Sequence, residues 1–213
     1  MRPTFSEIRE KLAFLDRLDP ARKIFASHKH QYRLNPPLGM DCVEHFESLA
    51  GCRLPDQYRS FVTEFADGGA GPVYGIFPLG RLLEPGRDLD SLTDLARPFP
   101  VPRCVEEMRE LGYSAPGALP ISEIGCGGMY WLIFSGTQRG FVWVQNPDAD
   151  WGPELSDESH LWSNPATGIE GVLEAALKSP KELRLEFVDW YVKWLDESLK
   201  EVKSQKIQGP SLP

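Results

Sequence analysis

The segment with the strongest β-strand pattern is GMYWLIFSGTQRGFVWVQN, residues 128–146. Its two arms, 128–135 and 140–146, are dense in aromatic and β-branched residues, which favour strands. The four residues between them, 136–139, are polar and include a glycine, as expected of a chain reversal. This pattern predicts a β-hairpin. Both arms are apolar at nearly every position, so we expect central strands that are covered on both faces.

Amphipathic helices are predicted on the N-terminal side of the hairpin. The segment LPDQYRSFVTEFADGG, residues 54–69, has a proline in its first turn, apolar residues at helical spacing and a glycine pair at its end. A helix over 41–50 precedes it and is stopped by a glycine. Near the start of the chain, Thr4 and Glu7 have capping-box spacing, and the helix that they begin should end by Pro20.

The remaining segments complete the predicted fold. VYGIFPL at 73–79 is short, aromatic and β-branched and predicts another strand, and a modest helix is expected near 105–111. Capping-box patterns predict a short helix over about 167–177 and a last helix that runs to about Val202. We therefore predict an α+β fold, in which an antiparallel or mixed β-sheet, including 73–79 and both hairpin arms, is flanked by helices from both termini.

Composition divides the chain into three parts. The loop NPPLG at 35–39 separates a helical N-terminal extension, residues 1–35, from a single domain over 36–203, and residues 204–213 are expected to be a flexible tail. The extension holds eight basic and four acidic side chains, so it is net positive by four. Because the whole chain carries a net charge of -8, the remainder is net negative by twelve.

Charge and hydropathy exclude several classes of function. With 23 Lys and Arg against 31 Asp and Glu in 213 residues, the chain is acidic, which argues against nucleic acid as a direct partner. It lacks the roughly 18 consecutive apolar residues of a membrane span and the apolar run of a signal peptide. We therefore expect a cytoplasmic protein without a membrane partner. Its four cysteines form no CxxC pair and are expected to be thiols.

The sequence contains no recognised catalytic or nucleotide-binding motif. It has no GxSxG, GxxxxGKS, GxGxxG or HExxH pattern. The glycine-rich GCGG at 125–128 precedes a strand and opens no helix, so it lacks the helix N terminus that holds phosphate. We therefore predict that the chain is not an enzyme and binds no cofactor. A hydrolase that uses two carboxylates stays open, because sequence does not reveal their separation in space.

A zinc site is a further alternative. His28 and His30 lie two residues apart, and Cys42 and His45 form a CxxH pair, so the four could supply nitrogen and sulfur ligands. The two pairs belong to different segments of a region that is predicted to be helical, where residues two apart point to opposite sides. We therefore predict no metal site.

The acidic stretch PDADWGPELSDESH, residues 147–160, is the candidate functional site. It has five acids, no base and one tryptophan, and is predicted to be a surface loop. The functional interpretation is a docking surface, whose charge steers a basic protein partner while the tryptophan supplies an anchor. A solvated loop and a calcium site without EF-hand spacing are the alternatives. The candidate partner-binding residues are Asp148, Asp150, Trp151, Glu154, Asp157 and Glu158.

Three segments occur in an order typical of one family. They are LPDQYRSFVTEFADGG, then ALPISEIGCGGMYWLIFSG, then RGFVWVQNPDADW. The matching positions are Leu54, Pro55, Tyr58, Phe61, Gly68, Gly69, Leu119, Pro120, Gly127, Gly128, Gly140, Val142 and Trp143. Together these segments resemble the SUKH superfamily over roughly residues 41–178.

The resemblance implies a protein-binding module. Most bacterial SUKH members are immunity proteins that bind and neutralise a cognate toxin, often a nuclease, and eukaryotic relatives include a regulator of yeast cell-wall synthesis. We accordingly expect a SUKH-like fold and a non-catalytic immunity protein that neutralises a basic nuclease toxin. The alternative is a regulatory protein-interaction module that binds an intracellular partner through its positive N-terminal extension and is not linked to a toxin.

Overall fold

The computed structural model describes residues 2–84, 90–101, 107, 115–125, 127–145, 153–155 and 185–207. Its helices are α1 (Phe5–Leu18), α2 (Ser27–His30), α3 (Met40–Ala50), α4 (Asp56–Ser60), which continues as a π-helix (Phe61–Phe65), α5 (Asp90–Thr93) and α6 (Phe187–Ile207), with 3-10 turns at Leu79–Leu83 and Asp94–Ala96. Its strands are β1 (Ala118–Gly125), β2 (Gly128–Ile133), β3 (Val142–Gln145) and β4 (Pro153–Leu155).

The four strands form one antiparallel sheet in the order β1-β2-β3-β4. β2 and β3 are the predicted hairpin, with Trp131 opposite Trp143. Among the described residues, helices from both ends of the chain pack against this sheet. The predicted α+β fold with an antiparallel sheet flanked by helices is therefore confirmed.

Both faces of the hairpin are covered, as its apolar arms predict. Leu132, Val142 and Val144 lie on the face that packs against the helices, in the main core. The alternate residues, Trp131 and Trp143 among them, belong to a second cluster on the opposite face with Phe99 and Ala115. Because successive strand residues point to opposite faces, the alternation follows directly from the strand period of two.

α1 begins and ends as its sequence predicts. The Glu7 N–H donates to Thr4 Oγ1 at 3.3 Å, while the Thr4 N–H donates back to Glu7 Oε2 at 2.7 Å, so the capping box is complete. α1 then packs along α6, joined by ion pairs of Arg2 with Asp189 at 2.7 Å and of Lys11 with Asp196 at 2.6 Å. Ile8, Leu12 and Leu15 are buried in the main core, so the N-terminal residues form part of it.

The segment 54–69 forms the predicted helix with one local change. Tyr58, Phe61 and Phe65 are buried on its inner side, but its last turn widens into the π-helix, where the Ala66 N–H donates to Phe61 O at 2.8 Å. The glycine pair follows with positive φ angles. A Cβ on Gly69 would lie 2.5 Å from Arg33 O, so only glycine allows the chain to pass this close.

The strand predicted at 73–79 is wrong. Only Ile76 pairs there, by single bridges to Gly69 on one side and Ser122 of β1 on the other. Val73 and Gly75 on the N-terminal side of Ile76 have positive φ, which interrupts an extended chain, and a proline follows at 78. β propensity therefore marked a segment that meets β1 only briefly, through the Ile76 bridge and a hydrogen bond from the Phe77 N–H to Ile121 O at 2.8 Å.

The acidic stretch is not entirely a surface loop, and this is a second correction. Pro153–Leu155 form β4, which pairs with Trp143, Val144 and Gln145 of β3. Proline and glutamate are poor strand formers, so nothing in local propensity indicates this strand. It forms because β3 offers a row of backbone donors and acceptors, which pair irrespective of the side chains.

The last helix also differs from its prediction, since α6 continues to Ile207, five residues beyond Val202. The helices predicted near 105–111 and over 167–177 lie outside the described residues, except for the helical residue Glu107.

Candidate functional site

The structure describes one of the six predicted residues of the acidic site. Glu154 lies in the middle of β4, and its backbone pairs with Val144 of β3. The other five predicted residues, Asp148, Asp150, Trp151, Asp157 and Glu158, lie outside the described residues. β4 is the last strand in the sheet order, so the acidic stretch is attached to one end of the sheet.

β3 gives that end of the sheet a firm base. Trp143 is buried and meets the Phe99 ring edge to face, with ring centroids 4.9 Å apart. The strand and the turn before it also hold the start of α6. The Val142 N–H of β3 donates to Leu185 O at 3.0 Å, and the Phe187 N–H donates to Gly140 O of the turn at 3.2 Å. β4 therefore pairs with a strand whose side chains and backbone are already fixed.

The opposite end of the sheet leads into the positive N-terminal residues. Beyond β1, single bridges link Ser122 to Ile76, Ile76 to Gly69 and Gly69 to Leu34. Leu34 follows a compact loop that connects α1 to the sheet and contains the short helix α2. The two ends of the extended sheet thus have different neighbours, an acidic stretch at one and a basic loop at the other.

A buried carboxylate organises this basic loop. Asp19 is buried, and its side chain accepts hydrogen bonds from the backbone N–H groups of Lys23 at 2.7 Å and Ile24 at 3.2 Å. It also accepts from Tyr32 Oη at 2.7 Å and Ser27 Oγ at 3.4 Å. One side chain therefore fixes four points of the loop, as buried carboxylates with several donors do.

The loop has an unusual backbone. Four of its non-glycine residues, Arg22, Ala26, Gln31 and Tyr32, have φ angles between 49° and 58°. Val73, in the segment that includes Ile76, has a φ of 50°, which a β-branched residue adopts reluctantly. Such positions cost on the order of 1–3 kcal/mol each, and they persist where surrounding contacts over-determine the backbone. The hydrogen bonds to Asp19 are contacts of this kind.

The strained backbone places an aromatic side chain in solvent. Phe25 is 67% exposed although its neighbours Ile24 and Ala26 are buried. Its ring meets Tyr74 edge to face, with centroids 6.0 Å apart. We call Phe25 and Tyr74, with the exposed lysines Lys23 and Lys29 of the same loop, the Phe25 patch. Neither lysine forms an ion pair within the part of the chain that the structure describes.

His30 contributes to the base of this loop. Its Nδ1 accepts a hydrogen bond from the Tyr32 N–H at 3.1 Å, and its ring contacts Tyr32 and Trp194 with centroids 5.3 and 5.9 Å away. Burial, assisted by the nearby charges of Arg22 and His28, lowers the pKa of His30 to about 4. The imidazole is therefore neutral at pH 7.

The zinc ligands considered from the sequence do not converge. Within the described ranges, no group of three or more His, Cys, Asp or Glu side chains could hold a metal ion. Of the cysteines, Cys42 and Cys52 are described, and both are free thiols. Burial raises the pKa of the Cys52 thiol, which disfavours the thiolate that metals and disulfide exchange require.

The Phe25 patch was not predicted from the sequence, which indicated that the positive N-terminal extension could bind a partner but not which of its residues would do so. In the sequence, Ile24, Phe25 and Ala26 are an ordinary apolar triplet that a core would accommodate. No residue type in the loop signals positive φ, since none of the four is glycine, asparagine or aspartate. The net charge of the segment was the one available signal.

The resemblance residues are largely structural. Leu54, Tyr58 and Phe61 are buried in the main core, and Trp143 is buried on the opposite face of the sheet. The glycines at 68 and 69 occupy positive-φ positions. In the described segments, no helix is both long and apolar enough to cross a membrane.

One comparison with known proteins shows the family of the chain. No curated protein and no solved structure matches the chain. The model of the SMI1 / KNR4 family (SUKH-1) matches residues 41–167, which is more than half of the chain. That range begins in α3 and includes the whole sheet. The family is consistent with protein-binding roles in immunity or regulation. The chain therefore belongs to the SMI1 / KNR4 family (SUKH-1).

Proposed function

We propose that this chain is a non-catalytic immunity protein, which acts in the cytoplasm by binding and neutralising a cognate toxin. Membership of the family is the observation that carries the proposal. The class of toxin that best fits the charge is a basic nuclease, because nucleases that bind phosphate carry clustered Lys and Arg. A protein with twelve net negative charges outside its first 35 residues complements such a surface.

The acidic stretch is the proposed contact surface. It includes Asp148, Asp150, Glu154, Asp157 and Glu158, a high local density of one charge sign, which accelerates encounter with a basic partner. Trp151 supplies the large apolar area that anchors a complex once it has formed. β4 ties this stretch to the sheet, so part of it is ordered before the partner arrives, which reduces the entropy lost on binding.

The test is protection against a neighbouring toxin. Genes next to this one are first searched for a large secreted protein with a basic C-terminal domain. A domain found in this way is produced with and without the chain, and growth and binding kinetics are measured. Neutralising the acids as Asp148→Asn, Asp150→Asn, Glu154→Gln, Asp157→Asn and Glu158→Gln should lower the association rate by about tenfold at low salt. Trp151→Ala should instead speed dissociation.

A matched control removes the same charge elsewhere. Exposed acids on the helices are changed as Glu10→Gln, Glu44→Gln, Glu64→Gln, Glu197→Gln and Glu201→Gln. This variant has the same net charge as the test variant, so it should keep protection and most of the association rate. Equal losses of protection and association rate in both variants would show that only the net charge of the chain matters, and that the acidic stretch is not the contact surface. Turnover of a substrate by the purified chain would contradict the non-catalytic assignment.

A second candidate function is a regulatory module that binds an intracellular partner and has no toxin. The Phe25 patch favours it, because an exposed aromatic on an ordered, basic loop is a feature of binding surfaces. Truncation of residues 1–35 cannot separate the two functions, since Ile8, Leu12 and Leu15 belong to the main core and their loss would unfold the chain. Substitution of exposed residues in the Phe25 patch separates them without that damage.

A further inference from the structure

We propose that the Phe25 patch is a docking site for an extended, acidic segment of another protein, with an apolar side chain of that segment packed against Phe25 and Tyr74. This inference deepens the regulatory candidate and does not depend on toxin neutralisation. It rests on three properties of the patch: its rigid backbone, its exposed positive charge and its exposed aromatic surface.

The backbone beneath Phe25 is held on both sides. Ile24 and Ala26 are buried, and Asp19 accepts from the N–H groups of Lys23 and Ile24, so the positions flanking Phe25 cannot move without breaking buried contacts. The Ser27 N–H also donates to Ile24 O at 3.0 Å, and this turn encloses Phe25. A ring presented by such a frame loses little conformational freedom on binding, which favours affinity.

The segment that contains Tyr74 is held as firmly as the loop that contains Phe25. Tyr74 lies between Val73 and Gly75, both with positive φ. The Gly75 N–H donates to Pro72 O at 2.9 Å, and a Cβ on Gly75 would lie 2.4 Å from Gly69 O, so the segment packs directly on the bridge that leads to Leu34. Phe25 and Tyr74 therefore keep their edge-to-face arrangement as a preformed apolar surface.

The charge around this surface selects an acidic partner. Lys23 and Lys29 lie within four residues of Phe25, and Arg33 follows at the end of the loop, all three exposed. The acids of the same region do not face the lysines as free charges. Asp16 is paired with Arg22 at 2.6 Å, and Asp19 is buried and accepts hydrogen bonds from the loop. The facing segment PVYGIFP, residues 72–78, contains no charged residue, so nothing on that wall offsets the lysines.

The occupant is a short segment, and not a membrane or a nucleic acid duplex. An extended anionic surface would place its own charges opposite the rest of the chain, which is net negative by twelve. Repulsion between exposed charges is screened beyond about 8 Å at physiological salt, so a segment confined to the patch experiences mainly the local positive charge. Local basic charge combined with a single aromatic anchor suits a peptide of a few residues.

The experiment measures peptide binding by fluorescence anisotropy. The probe is a labelled synthetic peptide of about ten residues, glutamates around a central leucine and tryptophan, and a second probe has lysines in place of the glutamates. The acidic probe should bind the full-length chain and weaken as salt is added, while the basic probe should not compete for the same site. Phe25→Ala should weaken the acidic probe by about tenfold, and Lys23→Glu with Lys29→Glu by at least as much.

A matched control separates the patch from exposed aromatics in general. Phe14 on α1 is also exposed, so Phe14→Ala removes the same ring elsewhere and should leave probe binding unchanged. Because Phe25 is in solvent, Phe25→Ala should keep the unfolding midpoint of the parent. Phe25→Ala should also keep toxin protection. The variant with the neutralised acidic stretch should lose protection but keep probe binding, so the two proposals can be contradicted separately.

Three outcomes would overturn the inference. One is equal binding of the acidic probe by the Phe25→Ala and Phe14→Ala variants, and another is the absence of binding of that probe at concentrations of about 100 micromolar. The third is Phe25-dependent binding to phosphatidylserine vesicles or to a short RNA in the absence of binding to the acidic probe, which would identify a different occupant.

Discussion

Residues 41–167, which match the family, and the helices that flank them build one core by different means. The matched part contains elements that form from local pattern, above all the β2–β3 hairpin. The N-terminal residues with α1, and the whole of α6, lie outside the match and meet through contacts between residues far apart in the chain, such as Arg2 with Asp189. The matched region therefore contains the sheet, and the helices outside it, α1 and α6, complete the apolar core that covers one face of the sheet.

The sharpest test of this comparison pairs one leucine from each region. Leu132 of β2 and Leu15 of α1 are both fully buried in the main core. If the flanks are part of one cooperative unit, Leu15→Ala and Leu132→Ala should each lower the free energy of unfolding by about 3 kcal/mol. Urea unfolding followed by tryptophan fluorescence and by circular dichroism measures both.

Phe14→Ala on the exposed side of α1 is the control and should cost under about 1 kcal/mol. Coincident transitions by the two methods are expected for a single unit. If the Leu15→Ala variant loses helix signal in an earlier, separate transition, α1 does not share one cooperative core with the matched region.

The loop that connects α1 to the matched region should make stability depend on pH through His30. The pKa of His30 is about 4 in the native state, below its ordinary value of 6.5, because the imidazole is buried. As pH falls below 6.5 the unfolded chain binds a proton that the native chain does not, so the stabilisation present above 6.5 is lost progressively toward pH 4. Between about pH 7 and about pH 5 this linkage amounts to about 2 kcal/mol.

The measurement is the difference between the parent and His30→Asn, whose side-chain oxygen can replace Nδ1 as the acceptor for the Tyr32 N–H. The parent should lose about 2 kcal/mol more than this variant over the same pH interval. His28→Asn removes one of the smaller charges that lower the pKa of His30, so it should lose slightly less than the parent and clearly more than His30→Asn. Identical pH profiles for the parent and His30→Asn would show that the loop does not keep His30 neutral.

The smallest effect is expected at the ion pairs of Arg2, which link the N-terminal residues to the start of α6. Arg2 binds Asp189 through Nε and Nη2, at 2.8 and 2.7 Å, but all three members of this group, including Glu186, are substantially exposed. Solvent screening limits such pairs, so Arg2→Ala should cost about 0.5 kcal/mol, and less in high salt. Arg2→Lys keeps the positive charge but loses the paired hydrogen bonds of the guanidinium to Asp189, so its cost should be smaller than that of Arg2→Ala. A cost near that of Leu15→Ala would mean that charge, and not apolar burial, joins the flanks.

The sequence predicted those parts of the fold whose information is local. Thr4 and Glu7 are three residues apart and define the start of α1, and both arms of the hairpin lie within the single stretch 128–146. β4 escaped prediction because its partner strand, and not its own proline and glutamate, makes it a strand. The strand predicted around Ile76 was wrong for the converse reason. Its residues favour a strand, but the positive φ angles of Val73 and Gly75 prevent an extended backbone there.

The candidate sites follow the same division. Charge density along the chain pointed to the acidic stretch and to the basic N-terminal segment, because charge can be counted without a structure. The Phe25 patch required the fold, since it depends on a carboxylate at Asp19 that collects donors from Lys23, Ser27 and Tyr32. No spacing rule connects these residues, so composition could not indicate that Phe25 would be in solvent.

The chain of single bridges from Ser122 through Ile76 and Gly69 to Leu34 has a consequence for solubility. A sheet that ends in a long flat strand can recruit the same strand of another molecule and begin to aggregate. Here the sheet narrows to one residue at a time, and Pro36 and Pro37, which have no N–H to donate, follow soon after Leu34. That end of the sheet therefore offers no long flat edge to which the strand of another molecule could pair, which disfavours the growth of fibres from it.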